Sequence, residues 1–171
     1  MVERHHREDM ISFFLDESLA DRGEIRLDEA AAQHARAKRV QSGDAARVLN
    51  GRGRIAEGVI TAVGKRLVDV EVRSLLSIPQ PTPLDVIVPV ADRDRLLLAA
   101  EKCAELQITS WRPAIFARSR SVNPRGEGPK FRDKVLARMR AALEQSGGAW
   151  LPEVHAEVSV EEALRTVPAT S

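Results

Sequence analysis

The sequence predicts an α/β protein in two parts, a small β-rich module followed by the opening of a doubly wound α/β domain. Three observations predict it. Over residues 84–147 an apolar strand pattern, an amphipathic helix, a second strand, a basic Gly/Pro loop and a second helix succeed one another. That order is the alternation of a parallel βαβ unit. Before it, short apolar runs are separated by the turn pairs Gly43-Asp44, Asn50-Gly51 and Gly64-Lys65, the pattern of a small barrel. Between the two, Pro79, Pro81 and Pro83 stand at alternate positions, which enforces an extended spacer and forbids helix. The expected division is a polar leader over 1–10, a β-barrel over 11–76, a linker over 77–83 and an α/β domain over 84–171.

At 171 residues with 43% apolar composition, the chain can hold two small cores. Net charge is only +1, so charge must be read locally. Residues 36–73 carry nine basic side chains against four acids, and residues 112–140 nine against two. A single cysteine, Cys103, excludes a disulfide framework and a multi-cysteine metal site. No apolar run approaches the roughly 18 residues that span a bilayer. The leader has no apolar stretch of the signal-peptide kind, so the expected compartment is the cytoplasm. His5-His6 in that leader reads as solvated rather than as a metal site.

Taken in order, Ile11-Ser12-Phe13-Phe14-Leu15 is a short strand, and Ile25-Arg26-Leu27 continues as strand or staple. Asp28 is an N-cap for a helix over 29–40 whose alanines favour helix. The later turns of that helix present His34, Arg36, Lys38 and Arg39. They form either a solvated face suited to the helix C-terminus or a phosphate-contacting face. Strands follow over 45–49, 55–63 and 67–72, the last alternating apolar and polar with period two. Gly51-Arg52-Gly53 lacks the following helix and the third glycine of a dinucleotide loop, so it reads as a hairpin turn.

In the second part, 84–91 is nearly all apolar, as a strand covered on both faces would be. The next helix, over 94–106, puts Leu96, Leu97, Ala100, Cys103 and Ala104 on one face. Cys103 therefore reads as packing. A strand over 111–116 leads into the loop 118–129, with Arg118, Arg120 and Arg125 and no acid before Glu127. Such a loop is either disordered or binds an anion, and binding is favoured here. The helix over 130–145 buries Phe131, Val135, Leu136, Met139, Ala142 and Leu143 and sets Lys130, Lys134 and Arg138 on another stripe. That stripe and the loop are the strongest polyanion footprint in the sequence. A third strand is expected over 153–156, and Ser159 opens a capping-box helix to Thr166. His155 reads as a surface histidine.

With these segments in place, the chain resembles the RsmE-type 16S ribosomal RNA uridine-N3 methyltransferases of the SPOUT (trefoil-knot) superfamily. The likeness is carried by Phe13-Phe14-Leu15, His34, Arg39, Gly43-Asp44 and Asn50-Gly51-Arg52-Gly53. It continues in Lys102-Cys103-Ala104-Glu105-Leu106, Arg118-Ser119, Ala141-Ala142-Leu143-Glu144-Gln145-Ser146-Gly147 and Pro152-Glu153-Val154. The resemblance implies an N-terminal PUA-like barrel gripping ribosomal RNA, a knotted α/β domain that binds S-adenosylmethionine, and a homodimer. In that setting Arg118, Glu144, Gln145 and Ser146 line the base or cofactor side of the site. Arg36, Arg39, Arg52, Arg120, Arg125 and Lys134 contact RNA, and no metal is involved. The sequence departs from the family in lacking its Gly-Pro-Glu-Gly-Gly loop and terminal Leu-Arg-x-Glu-Thr-Ala segment. Gln107 replaces a usual glycine and Gly148 a usual arginine. An incomplete SPOUT domain without a cofactor site is therefore expected. The alternatives are a non-enzymatic RNA-binding module and an unrelated nucleotide-binding α/β protein, the latter disfavoured because no Gly-rich phosphate loop occurs.

Overall fold

The computed structural model describes residues 10–121 and 124–166, without the side chains of Arg120 and Ser121. The His5-His6 leader and the Arg120 side chain lie outside the described residues. Two compact units divide between Pro79 and Gln80.

The first unit contains β1 (Ile11–Phe14), β2 (Gly23–Leu27), α1 (Glu29–Ala37), β3 (Ala45–Leu49), β4 (Arg54–Val63) and β5 (Val68–Ser77). They form a five-stranded sheet in the order β1-β3-β4-β5-β2. β1 pairs parallel with β3 and the other ladders are antiparallel. Alternation on β5 sends Val68, Val70 and Val72 into a core with Phe13, Leu27, Val48, Ile60 and the α1 residues Ala32 and Ala35. Asp69 breaks the alternation by being buried. Arg26, opposite it on β2, forks onto both carboxylate oxygens at 2.8 and 3.0 Å. This bond holds the Asp69 carboxyl below its usual range, against the opposing cost of burial.

Two devices shape the sheet. The buried Asn50 accepts the Arg52 and Arg54 amides at 2.9 and 3.1 Å, closing the β3–β4 hairpin through Gly51 and Gly53, both at positive φ. At Gly58 the β4–β5 register shifts, and a Cβ there would lie 2.0 Å from the Glu71 carbonyl oxygen. Only glycine lets the two backbones approach so closely.

Helix α1 starts as the sequence predicts, with Asp28 accepting the Ala31 amide at 3.1 Å, but it stops at Ala37 rather than 40. Arg39 turns left-handed at φ +59°, its N–H donates to Arg36, and the Val40 N–H donates to Ala35. Those two bonds are a Schellman closure, built here on an arginine where glycine is usual. β5 runs on to Ser77, five residues past the expected end, because Leu75, Leu76 and Ser77 keep pairing with β4.

The second unit contains β6 (Asp85–Pro89), α2 (Arg93–Glu105), β7 (Ser110–Ile115), a 3-10 turn (Ala117–Ser121) and α3 (Pro129–Ser146). It continues with β8 (Glu153–Val154), β9 (Val158–Ser159) and α4 (Val160–Thr166). All its ladders are parallel. α2 and α3 pack on each other over Trp111, Leu96, Ala100, Val135 and Met139. Leu136, expected in the core, is only partly buried. The expected third strand is split in two: β8 pairs with the start of β7 and β9 with its end. His155-Ala156-Glu157 interrupts the ladder between them. Gln107 takes φ +58° in a second Schellman closure, with its N–H on Ala104 and the Ile108 N–H on Cys103. The position where glycine is usual is thus a left-handed one.

Candidate functional site

Parallel α/β sheets bind ligands outside the carboxyl ends of their strands, and in the second unit the basic loop folds onto those ends. The Val90 N–H donates to Ala114 at 2.8 Å, which keeps the exits of β6 and β7 side by side. Asp92 caps α2, its carboxylate accepting the Asp94 and Arg95 amides at 3.1 and 3.2 Å. The returning loop then bridges Arg125 to Asp92, and the Gly126 N–H donates to Ala91 at 2.9 Å. A Cβ on Gly126 would meet Phe131 at 2.5 Å and Leu96 at 2.6 Å, so this glycine lets the loop lie flat on the core. The loop is accordingly structured on both its sides.

After β7, the 3-10 turn carries Arg118 at the surface and Ser119 inside, the latter 4% exposed. Ser119 accepts the Phe116 amide on its hydroxyl at 3.2 Å and returns its own N–H to the Phe116 carbonyl at 3.0 Å. Helix α3 begins at Gly128, φ +83°, which has no side chain to cap it. The cap comes from Glu157, whose carboxylate accepts the Gly128 N–H at 2.9 Å. The negative charge also suits the helix N-terminus. Lys130 and Lys134 are exposed on α3, with no ion-pair partner among the described residues. Arg138, the third of that stripe, pairs with Glu101 of α2 at 3.2 Å.

Several predicted cations have work inside the fold. Arg36 donates to the carbonyls of Gly64 and Lys65 at 2.9 and 2.6 Å, tying α1 to the β4–β5 turn. Arg52 pairs with Asp16, and Arg125 grips Glu127 at 2.7 and 3.0 Å. Arg39 is exposed. Glu144, Gln145 and Ser146 close α3, which Gly147 ends at φ +72°. An α-helix rises 1.5 Å per residue, so about 24 Å of helix separates them from the Pro129 end beside the strand exits. Within one chain, therefore, they do not join Arg118. Gly148 is packed on Leu143, whose Cδ2 an added Cβ would meet at 2.6 Å.

One polar cluster was not anticipated from the sequence. The Asp85 carboxylate accepts Arg112 at 3.1 Å, and His155 Nε2 lies 3.1 Å from the hydroxyl of the buried Ser110. A hydrogen bond from Ser110, helped by Arg112 and opposed by burial, keeps the Asp85 carboxyl below its usual range. Its members come from positions 85, 110, 112 and 155, and only the β6–β7–β8 register assembles them. Burial pushes the Cys103 thiol up, as suits a packing residue and not a nucleophile. Among the described residues no group of His, Cys, Asp and Glu side chains could hold a metal. No described helix is long and apolar enough to cross a membrane.

The family described as RNA methyltransferase domain matches residues 79–171, and that described as RNA methyltransferase PUA domain matches residues 27–73. The chain belongs to the RNA methyltransferase family. Its architecture is a PUA-type unit followed by a SPOUT-type methyltransferase unit. Among solved structures, it is similar to ribosomal RNA small subunit methyltransferase E from Neisseria gonorrhoeae bound to S-adenosylmethionine. The TM-score is 0.82 at 24% identity over 94% of this chain and 67% of that one. A protein of Legionella pneumophila described as a methyltransferase in complex with the same cofactor gives 0.74 at 21% identity, over 92% and 66%. One of Thermotoga maritima, described as an RNA methyltransferase, gives 0.66 at 26%, over 87% and 65%. The chain thus spans about two thirds of the length of these structures. No curated protein matches.

The cleft beneath the loop does not fit a methyl donor of nucleoside size. The cleft there, lined by Leu96, Trp111, Gly126, Phe131 and Val135, is so closely packed that one added methyl at Gly126 would collide with two of its walls.

Proposed function

We propose that this chain binds 16S ribosomal RNA as part of a cytoplasmic enzyme that methylates N3 of a uridine. The observation that supports this best is the pairing, in one chain, of a PUA unit with a methyltransferase unit whose strand exits carry a basic turn. In this reading S-adenosylmethionine supplies the methyl group when bound in the whole enzyme. The residues present here do the work of holding RNA. Lys130 and Lys134 contact backbone phosphates, Arg39 does the same from the first unit, and Arg118 faces the base at the end of β7. Uracil N3 is reachable only when the base leaves its stack, so these contacts hold a single-stranded nucleotide. Glu144, Gln145 and Ser146, remote from Arg118 in one chain, serve the same site if two chains combine, which is the reason to propose a homodimer.

A second reading is favoured by the tight packing at Gly126: these 171 residues bind RNA without binding the methyl donor. Two titrations of the 171-residue chain separate the readings. A 16S ribosomal RNA fragment should bind with an affinity that falls steeply with salt, and absence of binding overturns the RNA role. Calorimetric titration with S-adenosylmethionine should show no micromolar binding. Micromolar binding would instead mean that this chain does form a donor site.

A further inference from the structure

Phe116 is the one large aromatic residue standing open to solvent among the described residues, at 38% exposure, while Phe13, Trp111 and Phe131 are buried. It follows immediately on β7, at the carboxyl end of the sheet where ligands of such folds bind. Two residues on, Arg118 is exposed on the 3-10 turn that follows. An exposed aromatic residue two positions from an exposed arginine is a pairing that suits single-stranded nucleic acids: the ring stacks on a base, and the cation takes the phosphate or stacks as well.

The geometry around Phe116 is fixed more tightly than a surface turn needs. The Ser119 N–H to the Phe116 carbonyl, at 3.0 Å, already closes the turn. The Ser119 hydroxyl adds a second tie by accepting the Phe116 N–H at 3.2 Å, and it does so from a buried position. Both backbone polar groups of Phe116 are therefore occupied by one residue. A residue held at both its amide and its carbonyl loses little further backbone freedom when its ring stacks, which lowers the cost of binding.

We propose that Phe116 is a stacking platform for a single-stranded base of the RNA substrate, with Ser119 as the residue that positions it. This rests on the reading that the chain binds RNA, and it names the surface and the kind of nucleotide involved. Inside a duplex both faces of each base are stacked on its neighbours, so a duplex gains nothing from the ring.

The test uses the full 171-residue chain with two probes, oligouridine and an RNA duplex of equal length. Phe116→Leu keeps the apolar bulk and removes the π face. It should weaken oligouridine binding roughly 5- to 100-fold, as loss of one base–aromatic stack does, and leave duplex binding unchanged. Phe116→Trp should retain oligouridine binding and add a Trp signal that oligouridine quenches and the duplex does not. Ser119→Ala should weaken oligouridine binding, Ser119→Thr should restore it, and Ser119→Ala should cost nothing further in the Phe116→Leu background. Equal binding by wild type and Phe116→Leu, or equal losses for both probes, would overturn the platform. A Ser119→Ala loss that persists in the Phe116→Leu background would overturn the positioning role. If the wild-type chain binds neither probe, the RNA reading itself fails.

Discussion

The two units spend their positive charge differently. In the first, Arg26 holds Asp69, Arg36 holds the β4–β5 turn, Arg47 holds Glu57 and Arg52 holds Asp16. In the second, Arg112 holds Asp85, Arg125 holds Glu127 and Arg138 holds Glu101, while Lys130 and Lys134 stand exposed along α3. Both units thus spend arginines on their own fold, and the second differs in leaving two lysines one turn apart on a single helix. A count of cations locates a polyanion surface only after those that bond to carbonyls and carboxylates of their own unit have been subtracted.

The sharpest way to break this contrast is to unfold one unit and ask what remains. At Gly58 an added Cβ would sit 2.0 Å from a backbone oxygen that cannot move aside. Gly58→Ala is therefore expected to destabilise the first unit by roughly 3 kcal/mol or more. Both tryptophans, Trp111 and Trp150, are in the second unit, so its melting can be followed by fluorescence. The first unit's transition, seen by far-UV circular dichroism, should shift while the fluorescence transition stays. Coincident shifts would show that the units unfold together.

Gly126→Ala makes the matching perturbation in the second unit. The colliding atoms are side-chain ends of Phe131 and Leu96 rather than backbone, so they can partly give way. The expected cost is about 1–3 kcal/mol, now in the fluorescence transition. A silent substitution would mean that the loop does not lie on the core as described.

Charge removal tests the contrast directly. Lys134→Ala should weaken RNA binding and lower the slope of log affinity against log salt by about 0.7–0.9, the loss of one phosphate contact. Arg36→Ala should leave that slope alone and lower the melting point of the first unit, since its guanidinium is engaged by Gly64 and Lys65. The reverse pattern would place the RNA on α1.

What the sequence made legible follows from the range of the interactions involved. β3 was readable to the residue, and the buried stripe of α3 was correct at Phe131, Val135, Met139, Ala142 and Leu143, because hydrophobic period and turn residues are local signals. The end of α1 was not readable, since a left-handed Arg39 carries no glycine to announce it. Likewise β9 is two residues long and exists only because β7 offers an edge. The Asp85–Ser110–His155 cluster and the internal partners of Arg36, Arg52 and Arg125 depend on pairing between distant segments. At the candidate site the motif Arg118-Ser119 could be picked out in the sequence. That its serine points inward to Phe116 and its arginine outward could not.

Acid titration should produce the smallest effect and still separate the units. The carboxyls of Asp69 in the first unit and Asp85 in the second are both held below their usual range, the former by Arg26 and the latter by Ser110 and then Arg112. A depressed folded value means that each contributes stability at pH above the unfolded value of about 4, lost as pH falls through the folded value. Asp69→Asn should therefore flatten the acid limb of the dichroism transition alone, and Asp85→Asn that of the fluorescence transition alone. Arg26 is mostly exposed, with 67% of its side chain open, whereas Arg112 is 16% open. Solvent screens the first pair more, so the effect at Asp85 should be the larger of the two and the less sensitive to added salt. Equal salt sensitivity at both sites would contradict the difference in burial.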